Sequence, residues 1–176
     1  MKVERSLSEV VSPTLKALKN PGLLLVSVDE NGRPNAMTIG WGFAGILWGR
    51  PYFIVAVRPS RFTFSLIEKT SDFTVNVPRK GMEQAVSFCG TVSGRDYDKF
   101  KECGFTSRPS KFVRSPVIEE CVIHYECKVA YKHRLSEAGI SSGIISQWYP
   151  GGDLHTLYFG EILAIYADED YERSLP

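Results

Sequence analysis

The stretch Leu23-Leu-Leu-Val-Ser-Val-Asp-Glu-Asn-Gly-Arg-Pro-Asn-Ala-Met-Thr-Ile-Gly-Trp41 reads as a strand, a turn and a returning strand. Leu23 to Val28 is a short apolar run bounded by turn residues, the pattern of a buried strand. Asp29-Glu30-Asn31-Gly32 supplies an Asn-Gly turn, which joins two strands as a hairpin. The returning strand runs from Pro34 to about Trp41. Thr38 and Gly40 interrupt it, and a glycine within a strand marks a bulge or the close approach of a ligand or another backbone.

The same pattern continues outward. Phe43 to Trp48 and Tyr52 to Val57 form a second strand pair, separated by Gly49-Arg50-Pro51. Asp72 to Val77 is a strand closed by Pro78. Cys121 to Lys132 alternates most clearly: Cys121, Ile123, Tyr125, Cys127, Val129 and Tyr131 share one face, and His124, Glu126, Lys128 and Lys132 the other. Ile140 to Trp148 and Leu157 to Ala167 add two more strands. Helices are few and short. Val11 to Asn20 stops at Asn20-Pro21-Gly22. Phe62, Leu66 and Ile67 fit a second helix, with Ser60 as its cap. Met82 to Phe88 and Asp96 to Cys103 complete the set.

Strands joined by hairpins suit a closed antiparallel barrel better than a βαβ array. No Gly-rich dinucleotide fingerprint follows the first strand, and no Walker sequence appears. The chain has 176 residues, 43% hydrophobic and 23% charged, with a net charge of +1. That length favours one domain over residues 1–176. The charge balance gives no sign of nucleic acid or an acidic membrane as partner. The N-terminus lacks the apolar run of a signal peptide, and no run reaches transmembrane length. Cys89, Cys103, Cys121 and Cys127 form no metal-binding pattern. They read as free thiols in a reducing cytoplasm.

Two segments could carry chemistry. Arg58-Pro-Ser-Arg-Phe-Thr63 places two guanidinium groups and two hydroxyls just before a helix. Free N–H groups at a helix start favour an anion, and arginine offers a donor fork matched to phosphate oxygens. A capped surface helix with solvated arginines fits the composition equally. Asn35-Ala-Met-Thr-Ile-Gly-Trp41 could face the polar edge of a flat heterocycle, and a simple bulge at Gly40 is the competing reading. His155, after Gly151-Gly-Asp-Leu, is a candidate catalytic proton donor or an exposed loop histidine. Trp148 and Tyr149 could cover a ligand or pack the barrel. His124 and His133 receive no role.

Taken together, Leu23–Trp41, Pro51-Tyr-Phe-Ile-Val-Ala-Val-Arg-Pro-Ser-Arg-Phe-Thr-Phe-Ser-Leu-Ile67 and Asp72–Pro78 resemble the flavin reductase-like family. The resemblance continues through Phe88-Cys-Gly90, Ser93-Gly-Arg-Asp-Tyr-Asp-Lys-Phe100 and Leu157-Tyr-Phe-Gly-Glu161, and is nearest to the flavoredoxin-like branch. It implies a mainly β fold, the FMN-binding split β-barrel of antiparallel, Greek-key type. It implies that Asn35, Met37, Thr38, Ile39, Gly40 and Trp41 line the isoalloxazine and ribityl chain. Arg58, Ser60, Arg61 and Thr63 would take the phosphate, with Phe62 packed nearby and Lys99 reaching it. Asn76 would help hold the cofactor region, and Phe88, Cys89 and Gly90 would approach from a helix end. The cofactor implied is FMN, in a homodimer.

Three functions are compatible with these residues. One is an oxidoreductase in which NADH or NADPH reduces FMN and electrons pass onward. The second is an electron-transfer protein reduced by a protein partner. The third is a non-redox module for another phosphorylated ligand.

Overall fold

The computed structural model describes residues 1–176. Strand β1 (Lys2–Glu4) leads into helix α1 (Leu7–Lys19), then β2 (Leu23–Val28), β3 (Pro34–Ile39), β4 (Gly42–Leu47) and β5 (Arg50–Val57). Helix α2 (Phe62–Thr70), β6 (Asp72–Val77), α3 (Glu83–Thr91) and α4 (Lys99–Cys103) follow. The short pair β7 (Ser107–Arg108) and β8 (Val117–Ile118) precedes the long β9 (Ile123–Arg134). Helix α5 (Ser142–Trp148) and β10 (Thr156–Asp168) complete the order.

The main sheet runs β3-β2-β6-β9-β10-β5-β4, with β1 also paired to β10. Every pairing is antiparallel. The two ends of this order, β3 and β4, are consecutive in the chain yet share no ladder. The expected closed barrel is therefore open, split at the Gly40-Trp41 connection. Closure fails there because the chain passes from one edge to the other instead of pairing the two.

Strand β2 is buried on both faces. Leu23 and Leu25 join Phe53, Phe73, Tyr125 and Tyr158 inside the curled sheet, where α1 adds Val10, Ala17 and Leu18. Leu24 and Val26 face outward, against Val86 and Cys89 of α3 and Phe100 of α4. The outer helices thus seal the back of β2 and β3. Gly160 lies at a register shift between β9 and β10, where a Cβ would strike the Phe73 ring.

Several boundaries differ from expectation. Residues 142–148 form α5, not a strand: Ile144, Ile145 and Trp148 recur at helical spacing. The turn between β4 and β5 is Trp48-Gly49, both at positive φ (50° and 72°), so Arg50 and Pro51 already belong to β5. At the first hairpin only Gly32 has positive φ, which excludes a two-residue Asn-Gly turn of the mirror-image type. Instead Asp29 Oδ1 accepts the N–H groups of Asn31 and Arg33, each at 2.9 Å. Helix α1 begins four residues earlier than expected, at a capping box formed by Ser6 and Glu9. No helix is long and apolar enough to cross a membrane.

Candidate functional site

Two adjoining clefts open at the split. One, of about 240 Å³, is bordered by Met37, Thr38, Ile39, Gly40, Trp41, Ala56, Arg58, Trp148 and His155. The other, of about 180 Å³, is bordered by Asn35, Ser60, Phe62, Thr63, Cys89, residues 91–95 and Lys99. Met37, Arg61 and Gly90 border both, so the two form one continuous groove. Its ends differ in chemistry, aromatic at one and cationic at the other.

At the aromatic end the Trp41 ring meets Trp148 edge-on, with centroids 4.9 Å apart. It also lies against His155 at 5.0 Å. His155 Nδ1 is 2.7 Å from the Tyr149 hydroxyl. Burial and the nearby Arg58 guanidinium lower the His155 pKa to about 4, so the ring is neutral at neutral pH. Arg58 donates to the carbonyls of Trp148 (2.9 Å) and Asp153 (3.3 Å) and lies over the Tyr149 ring. It therefore holds the loop that carries Tyr149 and His155, and borders only the aromatic cleft. The Thr38 hydroxyl donates to the Val86 carbonyl at 2.5 Å, leaving its oxygen lone pairs as acceptors.

The cationic end is built around the start of α2. Arg61, not Ser60, is the residue before its first turn. Ser60 instead donates its hydroxyl to Asp153 Oδ2 at 2.5 Å and its N–H to Oδ1 at 3.3 Å. Asn35 Nδ2 donates to Thr63 Oγ1 at 3.0 Å, joining β3 to α2. Lys99 is buried, donates to the Cys89 carbonyl at 2.8 Å, and has its pKa lowered by desolvation. Arg95 donates to the Ser60 carbonyl at 3.3 Å and lies over the Phe62 ring. Gly94 lets this loop approach Asn35 and Phe62, whose side chains a Cβ would strike.

Two of the expected residues are elsewhere. Asn76 is fully buried in β6 and borders neither cleft. Its Nδ2 donates to the Leu24 carbonyl and Thr74 Oγ1, and its Oδ1 accepts from Ile118 N–H and faces His124 Nδ1. Phe88 packs edge-on against Tyr97 and also borders neither cleft. Cys89 contributes its backbone, while its thiol faces Cys103 at 3.9 Å. Burial pushes that thiol up to about 12, which removes it as a nucleophile near neutral pH. Arg95 and Asp153 had no assigned role in the sequence reading. Arg95 stood in a recognisable run, Ser93-Gly-Arg-Asp96, but Asp153 gave no local signal.

The model of the flavin reductase like domain matches residues 18–175. The chain belongs to the flavin reductase-like family. An uncharacterized protein of Archaeoglobus fulgidus is 31% identical, covering 87% of this chain and 75% of its own. Among solved structures, flavoredoxin of Desulfovibrio vulgaris (Miyazaki F) aligns with a TM-score of 0.69 at 25% identity, over 89% of this chain and 75% of that one. Flavoredoxin from Methanosarcina acetivorans aligns with a TM-score of 0.69 at 26% identity, over 89% and 74%. A Shewanella frigidimarina protein described by its split barrel domain shares the fold at TM-score 0.69 and 17% identity, over 91% and 75%. The fold is that of the split-barrel FMN-binding proteins.

Proposed function

We propose that the groove binds FMN and that the protein is a flavin-dependent oxidoreductase using NADH or NADPH. One observation carries this reading: an aromatic cleft and a cationic cleft meet at Gly90, where a Cβ would stand 3.3 Å from Thr38. A flat ring system joined by a polyol to a phosphate needs that sequence of surfaces. Met37, Ile39, Gly40 and Trp41 would flank the ring, with Thr38 and Asn35 beside the ribityl chain. Arg61, Thr63, the first N–H groups of α2, Arg95 and Lys99 would hold the phosphate. When bound, FMN supplies the redox chemistry.

The residues of the chain then bind, orient and exclude water. Trp148 and Trp41 form a wall over the aromatic end. Neutral His155, fixed by Tyr149, would offer a hydrogen bond at the groove rather than act as an imidazolium acid. Exposed Trp48 and Tyr131 crown an aromatic cluster with the buried Tyr52 and the half-buried Phe159, and this surface supports a homodimer. The purified protein should show flavin absorbance or quench added FMN fluorescence. Anaerobic NADH or NADPH should then bleach the oxidised band. Persistence of that band with both nicotinamides would exclude the reductase reading.

The likeness to two flavoredoxins favours a second reading, an FMN carrier reduced by a protein partner. Bleaching by a partner enzyme, where nicotinamide alone fails, would select it.

A further inference from the structure

Cys89 of α3 and Cys103 of α4 face each other with their sulfurs 3.9 Å apart, and both are free thiols. Cys89 is only 1% exposed, whereas Cys103 is half-buried. Lys99 and Cys103 are the first and last residues of α4, four apart, so they share one face of that helix. Lys99 Nζ donates to the Cys89 carbonyl at 2.8 Å. Helix α4 therefore meets Cys89 at two points, its carbonyl and its sulfur.

The chain between the two cysteines is one wall of the cationic cleft. Residues 90–95 and Lys99 border that cleft. The polar side-chain ties of this loop to the rest of the molecule are weak. Arg95 donates to the Ser60 carbonyl at 3.3 Å, and Asp98 pairs with Arg33 at 3.3 Å. Both contacts are exposed, and an exposed ion pair contributes little. A covalent tie between the ends of the loop would supply what these contacts lack, because closing a loop removes freedom from the chain it encloses.

We propose that Cys89 and Cys103 form a redox pair that a hydroperoxide oxidises to a disulfide, fastening residues 90–99 at the cationic cleft. The half-buried Cys103 meets the oxidant first. Its thiolate sulfur attacks one peroxide oxygen, the O–O bond breaks, and Cys103 becomes a sulfenic acid as water or an alcohol leaves. The Cys89 sulfur then attacks the Cys103 sulfur. The S–O bond breaks, and hydroxide leaves with the Cys89 proton as water. Two thiols and one hydrogen peroxide thus give one disulfide and two waters, with two electrons passing from sulfur to oxygen. Burial holds the Cys89 thiol protonated near neutral pH, so it does not attack the oxidant itself. Its part is to trap the sulfenic acid, where contact takes the place of acidity. The sulfurs must close from 3.9 Å to roughly 2.05 Å, and Cys103 is the last residue of α4, so the change falls on a helix end. The pair stands whatever ligand the cleft holds.

The test uses the whole protein, reduced and then treated with hydrogen peroxide. Two of the four thiols should resist alkylation, and peptide mapping should find Cys89 joined to Cys103. Amide hydrogen exchange over residues 91–98 should slow by about tenfold on oxidation and recover with dithiothreitol. Cys103→Ser, at the half-buried position, should abolish both the crosslink and the slowing. The proposal is overturned if all four thiols survive, if Cys89 pairs with another cysteine, or if Cys103 proceeds to sulfinic acid while Cys89 stays open to alkylation. It is equally overturned if the crosslink forms and exchange over residues 91–98 is unchanged.

Discussion

Ser60 and Asp153 tie the two walls of the groove together, through a 2.5 Å hydroxyl–carboxylate bond and a 3.3 Å bond from the Ser60 N–H. A carboxylate therefore occupies the donors that the sequence alone assigns to a phosphate. Asp153 has φ of 55°, a conformation that Asn also tolerates. Asp153→Asn should keep the loop conformation and a Ser60 bond while removing a negative charge from the cationic end. FMN affinity should rise by about 1 kcal/mol or less, the scale of a part-exposed charge. A fluorescence titration showing weaker binding would mean that the carboxylate positions the loop more than it repels the ligand.

Arg61 borders both clefts, and its guanidinium has no partner within the chain. Arg61→Ala should weaken FMN binding by about 1.5–3 kcal/mol, the range of a charge-assisted hydrogen bond. Since no internal bond is lost, the melting temperature without FMN should stay nearly unchanged. Unaltered affinity would put the phosphate elsewhere.

Depressed histidine pKa values predict an acid-side loss of stability. His155 has its pKa lowered from 6.5 to about 4, so folding favours the neutral ring. The contribution is complete above pH 6.5 and is lost as pH falls from there toward 4, because the unfolded chain takes up the proton first. Denaturant midpoints at neutral pH and near pH 5 measure it. His155→Gln should shrink the drop between them without abolishing it, since His124 is lowered in the same direction. An identical drop in the variant would remove His155 as a contributor.

How far the sequence reached depends on the range of the signal. The strands at Leu23–Val28, Asp72–Val77 and Leu157–Ala167 were legible because apolar patterning is local and strong. Residues 140–148 misled because a short run with one glycine and three serines supports either period weakly. The Arg58–Thr63 and Asn35–Trp41 segments do converge on one groove. Asn76 and Phe88 were drawn in by family likeness, yet β6 and α3 turn them elsewhere. Asp153 was invisible because its importance lies in a bond to Ser60, 93 residues away. The burial of His124 was likewise hidden, since alternation assigned the residue to a polar face, whereas it is buried beside Asn76 of β6.

Pro13 stands inside α1, where its missing N–H leaves the Glu9 carbonyl without its helical donor. The Tyr171 hydroxyl supplies the replacement at 3.0 Å, tying the C-terminal segment to the helix. Tyr171→Phe should therefore cost about 0.5–1.5 kcal/mol, the net worth of one hydrogen bond. Pro13→Ala restores the N–H within the helix, so the two donors become redundant. In that background Tyr171→Phe should cost markedly less, and a double-mutant cycle should give a coupling of at least about 0.5 kcal/mol. Additive losses would mean that the Tyr171 ring stabilises by packing, and that the hydroxyl does not compensate for the proline.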